Sequence, residues 1–283
     1  MSVSAFQTAY RAEIINGFDK TQSLLRDTVT TEYLDKGGSA VFLVADTVGE
    51  NAVTRGLNGL ISADPLTLTQ NTATMAEWHK LVTVSDFNIF ASQGDLKKPM
   101  QAKTMAAINR KIDSDIITQL ATATNDTGSA VPGSVNLVGK AQVILGVNYV
   151  PNDGNLTLLA TPALLQYMQR APEFSNAQYV SGRPYEDGKP AFGDMRMLYK
   201  WNGMNIIVDP TLPGTGTSAE KCFLFHKNAI GQAINTAGIN ATVGYNDEQH
   251  YSFSRCSVFM GTKLLQNSGV VLINHDGAAF AAQ

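Results

Sequence analysis

Charge is the first thing this chain is short of. Asp, Glu, Lys and Arg make up 16% of its 283 residues, against roughly 25% in ordinary soluble domains. The 21 basic and 24 acidic residues nearly cancel, to a formal net charge of −3. That balance argues against a protein whose main task is to grip nucleic acid. A surface this poor in charge points to cover by another surface. Self-association is the simplest cover, because interface cores are depleted of charge. Cysteine is nearly absent too. Cys222 and Cys256 have no C-x-x-C spacing, which excludes a disulfide scaffold, and both are expected as small buried hydrophobes of a reducing compartment. Long apolar runs are missing. Ile206–Val208 and Val270–Ile273 are strand-sized, far below the ~20 residues of a membrane span. The opening MSVSAFQTAYRAEIING has no secretory core. The expectation is a soluble protein made in the cytoplasm, whose sequons at Asn125, Asn155 and Asn240 stay idle. The 44% hydrophobic content excludes a disordered chain.

Reactive clusters are the next absence. His79, His226, His250 and His275 are isolated from one another, with no H-E-x-x-H or related spacing, so neither a metal site nor a cofactor has support. There is no G-x-S-x-G elbow and no phosphate-cradling G-x-x-x-x-G-K-[ST]. Gly214-Thr215-Gly216 lacks the third glycine of a dinucleotide fingerprint and reads as a turn. The pairs Glu186-Asp187 and Asp247-Glu248 fall in loops, where carboxylates are usually only solvated. No catalytic residue is assigned.

What is present is an order of elements. Residues 1–36 read as an arm, with Phe6, Tyr10, Ile14 and Phe18 four apart on one drifting helical face and charges that nearly cancel. Gly37-Gly38 break it, and Ser39–Val44 reads as a strand. The alternation in PLTLTQ and KLVTVSDFNIF makes 46–86 a long hairpin with a polar tip near TRGLNGLI. A hairpin of that length normally lies on something. The clearest helix spans about 97–121, with Asp95 as cap, Pro99 in its first turn and Met105, Ile108, Ile112, Ile116 and Leu120 in one stripe. After the loop TNDTGSAVPGS, residues 134–250 read as an α/β unit. It holds a helix over 137–147, a strand over 156–160 and a Thr161-capped helix. A hairpin closed by Asn202-Gly203 follows, then the strand CFLFH and a small-residue segment, KNAIGQAINTAG. In the tail, Tyr251, Phe253, Arg255, Ser257 and Phe259 face one way and Ser252, Ser254, Cys256, Val258 and Met260 the other, and GVVLINHD is a further strand.

This order resembles the major capsid protein family of tailed bacteriophages, an α+β fold of the Hong Kong 97 type. RGLNGLISADPLTLTQNTATMAEWHKLVTVSDF is similar to its E-loop, and DLKKPMQAKTMAAINRKIDSDIITQLATA to its spine helix. LTLLATPALLQYM is similar to the strand–Pro–helix step of its axial domain. WNGMNIIVDP and GYNDEQHYSFSRCSVFMGTKLL with GVVLINHD complete the pattern. The resemblance implies an N-terminal arm over 1–36 and an E-loop over 46–86. It implies a peripheral domain made of 37–45, 87–125 and 251–283, with the spine helix at 97–121, and an axial domain over 126–250. It implies a homo-oligomeric shell of pentamers and hexamers around packaged double-stranded DNA, in a virion assembled in the host cytoplasm. A portal and a separate scaffolding protein are the expected partners, with no membrane. Some members crosslink through an E-loop lysine, but Gly49–His79 contains none, so crosslinking by that route is not expected.

Phe6 and Tyr10 of the arm, with Arg55, Leu57 and Trp78 of the E-loop, are the expected contacts between subunits. Lys97, Lys98, Lys103, Arg110 and Lys111 form the basic face that the family would turn toward interior DNA, held without sequence preference; an ordinary solvated helix face is the other reading. Two rival functions stand beside the phage shell. One is an encapsulin-type nanocompartment of similar fold. The other is a cytoplasmic α/β enzyme using loop carboxylates near 186–194.

Overall fold

A computed structural model describes residues 22–46, 52, 54, 55, 57–59, 61, 67–91, 97–175 and 199–280. The chain opens with β1 (Thr30–Leu34), β2 (Ser39–Asp46), β3 (Thr67–Thr74) and β4 (Ala76–Ser85), then α1 (Asp86–Ala91) and α2 (Lys97–Leu120). β5 (Val131–Pro132), α3 (Val135–Val147), β6 (Leu156–Ala160), α4 (Pro162–Arg170) and α5 (Pro172–Ser175) follow. It closes with β7 (Tyr199–Trp201), β8 (Met204–Val208), β9 (Glu220–His226), β10 (Ile230–Asn235), β11 (Asn240–Asn246), β12 (Tyr251–Leu264) and β13 (Val270–Asp276).

Three sheets collect these strands. A five-stranded sheet runs β1-β10-β12-β11, with β4 on the other side of β12. A six-stranded sheet runs β5-β13-β9-β6-β8-β7, and β2 and β3 form a two-stranded ribbon. Local rules explain most of the elements. α2 buries Ile108, Ile112, Ile116 and Leu120, spaced four apart, against β12 and β4. The Ser134 hydroxyl caps α3 by accepting from the Leu137 N–H at 3.2 Å. Thr161 caps α4 in the same way, accepting from the Leu164 N–H, with Pro162 at the first helical position. Asn202 and Gly203 both have positive φ, 48° and 77°, the pair a two-residue hairpin requires. β6 is parallel to β8 and antiparallel to β9, and all five of its residues are buried, as a central strand should be. The alternation of 251–260 is real: Ser252, Ser254, Cys256, Val258 and Met260 face the core.

Four expectations change. First, the hairpin is shorter. β2 pairs with β3 from Ser39↔Thr74 to Asp46↔Thr67, but β4 leaves the ribbon at Met75 and pairs with β12 from Ala76↔Met260 to Ser85↔Tyr251. Alternation marks a strand with two faces and does not name its partner. Second, the described part of the expected arm belongs to the core, with Leu24, Leu25 and Val29 buried and β1 pairing in parallel with β10. Third, the small-residue segment contains a full strand, β10, buried from Ile230 to Ile234. Fourth, β10 and β11 join β12 while β13 joins β9, so neither sheet follows the expected boundary at 250. The chain crosses between sheets because each strand takes the partner that buries its apolar face, whatever its place in the sequence.

Candidate assembly interface

The β2–β3 ribbon is mounted on the five-stranded sheet through unusually small residues. Ala40, Ala73 and Ala233 form a buried layer of their own, edged by Leu34, Phe42 and Met75. A Cβ at Gly261 would collide with the Thr74 carbonyl oxygen, and one at Gly231 would stand 3.0 Å from the Phe42 ring. The missing side chains are what let the ribbon's backbone approach the sheet. Asn71 Nδ2 donates to the Leu265 carbonyl at 3.0 Å, and the Met75 N–H to the Gly38 carbonyl at 2.9 Å. Away from this mount the ribbon is bare. Val41, Leu43 and Leu68 are 54%, 60% and 50% exposed.

Of the expected contact residues, Arg55 and Leu57 are both exposed, Leu57 completely. Phe6 and Tyr10 lie outside the described residues. Trp78 is placed elsewhere than the hairpin. It sits on β4 opposite Val258, half-buried against its own core, with Lys111 Nζ 3.8 Å from the ring centroid. The basic residues are likewise divided. Lys98 and Lys103 are exposed and Arg110 is half-buried. Lys111 is engaged by Trp78 and by Asp115, at 2.7 Å, and the Lys97 side chain lies outside the described set.

Sequence reasoning missed a clamp. Asp113, 1% exposed on α2, accepts from the Ser23 hydroxyl at 2.6 Å and from the Leu24 and Leu25 N–H groups at 3.0 and 3.1 Å. The local signal is a carboxylate next to Ile112 of the apolar stripe; its partners are about 90 positions away.

Polar groups elsewhere serve the fold. The Cys222 thiol is pushed up to about 12 by burial, which removes it as a nucleophile. His275 and Glu220, both fully buried, meet at 3.0 Å, and the Gly216 N–H donates to Glu220 at 2.7 Å. Hydrogen bonds from Asn155 pull the exposed Asp153 carboxyl down to about 2. Among the described residues no group of three or more His, Cys, Asp or Glu could hold a metal ion. No described helix is long and apolar enough to cross a membrane. Glu186 and Asp187 lie outside the described residues.

The ribbon thus carries exposed apolar residues on a small-residue mount, beside one large buried core that runs through both of the other sheets. The chain belongs to the phage capsid protein family, whose model matches residues 3–277. Its fold is similar to that of a protein of Mycobacterium phage Che8, at 16% identity and a TM-score of 0.76, covering 96% of this chain and 98% of that one. It is also similar to the capsid of cyanophage P-SCSP1u, at 14% identity, a TM-score of 0.72 and coverage of 96% and 93%. The capsid asymmetric unit of cyanophage Pam1 gives 11%, 0.72 and 98% of both chains. No curated protein matches the chain in sequence. The expected α+β fold of the Hong Kong 97 type is the one observed, and the chain is a major capsid protein, a subunit of the virion shell. That family is a structural one and not an enzyme class, so the enzyme reading is not favoured.

Proposed function

We propose that copies of this chain form pentamers and hexamers that close into an icosahedral shell around packaged double-stranded DNA. The β2–β3 ribbon and its 47–66 tip act as the E-loop and lie over a neighbouring copy. The observation that carries this reading is the exposure of Val41, Leu43 and Leu68 on a ribbon of only two strands, an arrangement that is marginal in water unless something covers it. In this reading the five-stranded sheet with α2 is the peripheral domain, the six-stranded sheet with α3 and α4 is the axial domain, and the arm with Phe6 and Tyr10 reaches another copy. Each contact is modest, and closure multiplies them. Lys98 and Lys103, with Arg110 on the same helix, face inward and meet DNA phosphates without sequence preference, while Lys111 is held by Trp78 and Asp115. A separate scaffolding protein and a portal serve assembly in the host cytoplasm.

Light scattering and electron microscopy of the purified protein test the shell directly, and closed megadalton particles are expected. Replacing residues 55–61 by a short Gly-Ser turn should leave a folded subunit that no longer closes; normal shells from that variant would remove the E-loop role. Lys103→Glu with Arg110→Glu should leave empty shells intact and lower the DNA they retain. Unchanged DNA content would remove the DNA-facing role of both residues.

A further inference from the structure

β11 ends the five-stranded sheet, and among the described residues no strand pairs with its outer edge. A free edge is a template for any other strand, and proteins blunt such edges with charge, proline or a bulge. β11 uses none of these. Its residues, Asn240 to Asn246, include no charge and no proline, and they pair one for one with β12. Alternate residues share a face. On one face Gly244 leaves room for the Phe253 ring, which a Cβ there would strike. On the other, Ala241, Val243 and Tyr245 lie beside Cys256, Ser254 and Ser252 of β12, the row that meets α2 through a 3.0 Å contact of Ser254 with Thr104. Val243 and Tyr245 remain 44% and 43% exposed. The Tyr245 hydroxyl donates to Asp86 and lies 3.0 Å from His250 Nδ1, so the largest side chain of the edge is held in place.

We propose that β11 pairs, antiparallel and edge to edge, with β11 of a second copy across a two-fold axis, joining two five-stranded sheets into one. The inference rests on the shell reading, in which adjoining rings of copies meet across two-folds. The strand's own sequence selects a second copy as the occupant. In antiparallel pairing centred on Val243, that residue faces itself, Ala241 faces Tyr245, Thr242 faces Gly244 and Asn240 faces Asn246. Small meets large, amide meets amide, and no like charges meet, the arrangement cross-strand pairs favour. This register also uses all seven residues.

Val243→Cys in the full chain tests the pairing, since Cys222 and Cys256 are both buried and the new thiol is the accessible one. Oxidised particles should give disulfide-linked dimers on a denaturing, non-reducing gel, and Thr242→Cys should give monomer only. A second pair of variants does not depend on disulfide geometry. Val243→Lys and Val243→Asp should each lose closed particles, and the two expressed together should regain them. Dimers or rescue by the mixture supports the pairing. Absence of both, with wild-type particles closed, overturns it and leaves the shell reading standing, as does a crosslink to a different protein. Dimers from Thr242→Cys but not from Val243→Cys overturn this register. A wild-type chain that stays monomeric even with its scaffold overturns the shell reading and the pairing together.

Discussion

The six-stranded sheet and the mount of the β2–β3 ribbon are held by opposite kinds of side chain. Phe223, Phe225, Leu158, Leu159 and Ile206 are fully buried in the first, and each large apolar side chain contributes about 1.5–3 kcal/mol on burial. The second offers Ala40, Ala73 and Ala233, with glycine at 231 and 261 where backbone and ring come close. A methyl group contributes about 0.8 kcal/mol, so the mount adds little stability. It fixes the direction in which the ribbon leaves the sheet. In the proposed shell, stability and assembly geometry therefore reside in different parts of one subunit, and each should be breakable without the other.

The largest effect is expected in the sheet. Phe223→Ala should cost about 3–5 kcal/mol, read by urea denaturation of the free subunit. Particle yield should fall only because less folded subunit survives. At the mount, Ala73→Leu should cost about 1–3 kcal/mol by overpacking, yet abolish closed particles, because the ribbon is tilted off its seat. A loss of stability as large as that of Phe223→Ala would erase the distinction. The smallest effect concerns acid. Burial holds the His275 imidazole below its ordinary value of 6.5, although Glu220 opposes this. The unfolded chain takes up that proton near 6.5 and the folded chain resists it, so stability falls as the pH drops from 7 toward 5. His275→Gln should flatten that slope in melting curves, and an unchanged slope would place the acid sensitivity elsewhere.

What could be read from the sequence followed local rules. The stripe of α2, the Thr161 cap, the Asn202-Gly203 turn and the alternation at 251–260 each depend on neighbours within a few residues, and each is in the structure. What could not be read depends on distant partners. Nothing within 76–85 says that β4 pairs with β12, some 175 positions later, rather than with β3 beside it. Trp78 looked like a hairpin residue for that reason, and its burial beside Lys111 follows from the pairing. β10 was obscured by its glycine and alanine content, the same content that lets the ribbon sit down on it. The Asp113 clamp and the Glu220–His275 contact join residues 88–90 and 55 apart, and carboxylates carry no periodic signal. The order of elements did survive these errors, which is why the family was legible while the strand partners were not.

The Asp113 clamp also sets the path that force takes through the subunit. Tension entering the chain at residue 22 meets three hydrogen bonds on a single buried carboxylate before it reaches β1. It is delivered sideways to the middle of a 24-residue helix, a stiff beam laid across β12 and β4. β1, held to β10 by a parallel ladder, is spared the pull. A subunit wired this way behaves as a strut: a load from outside moves the helix and its sheet as one body before any strand peels.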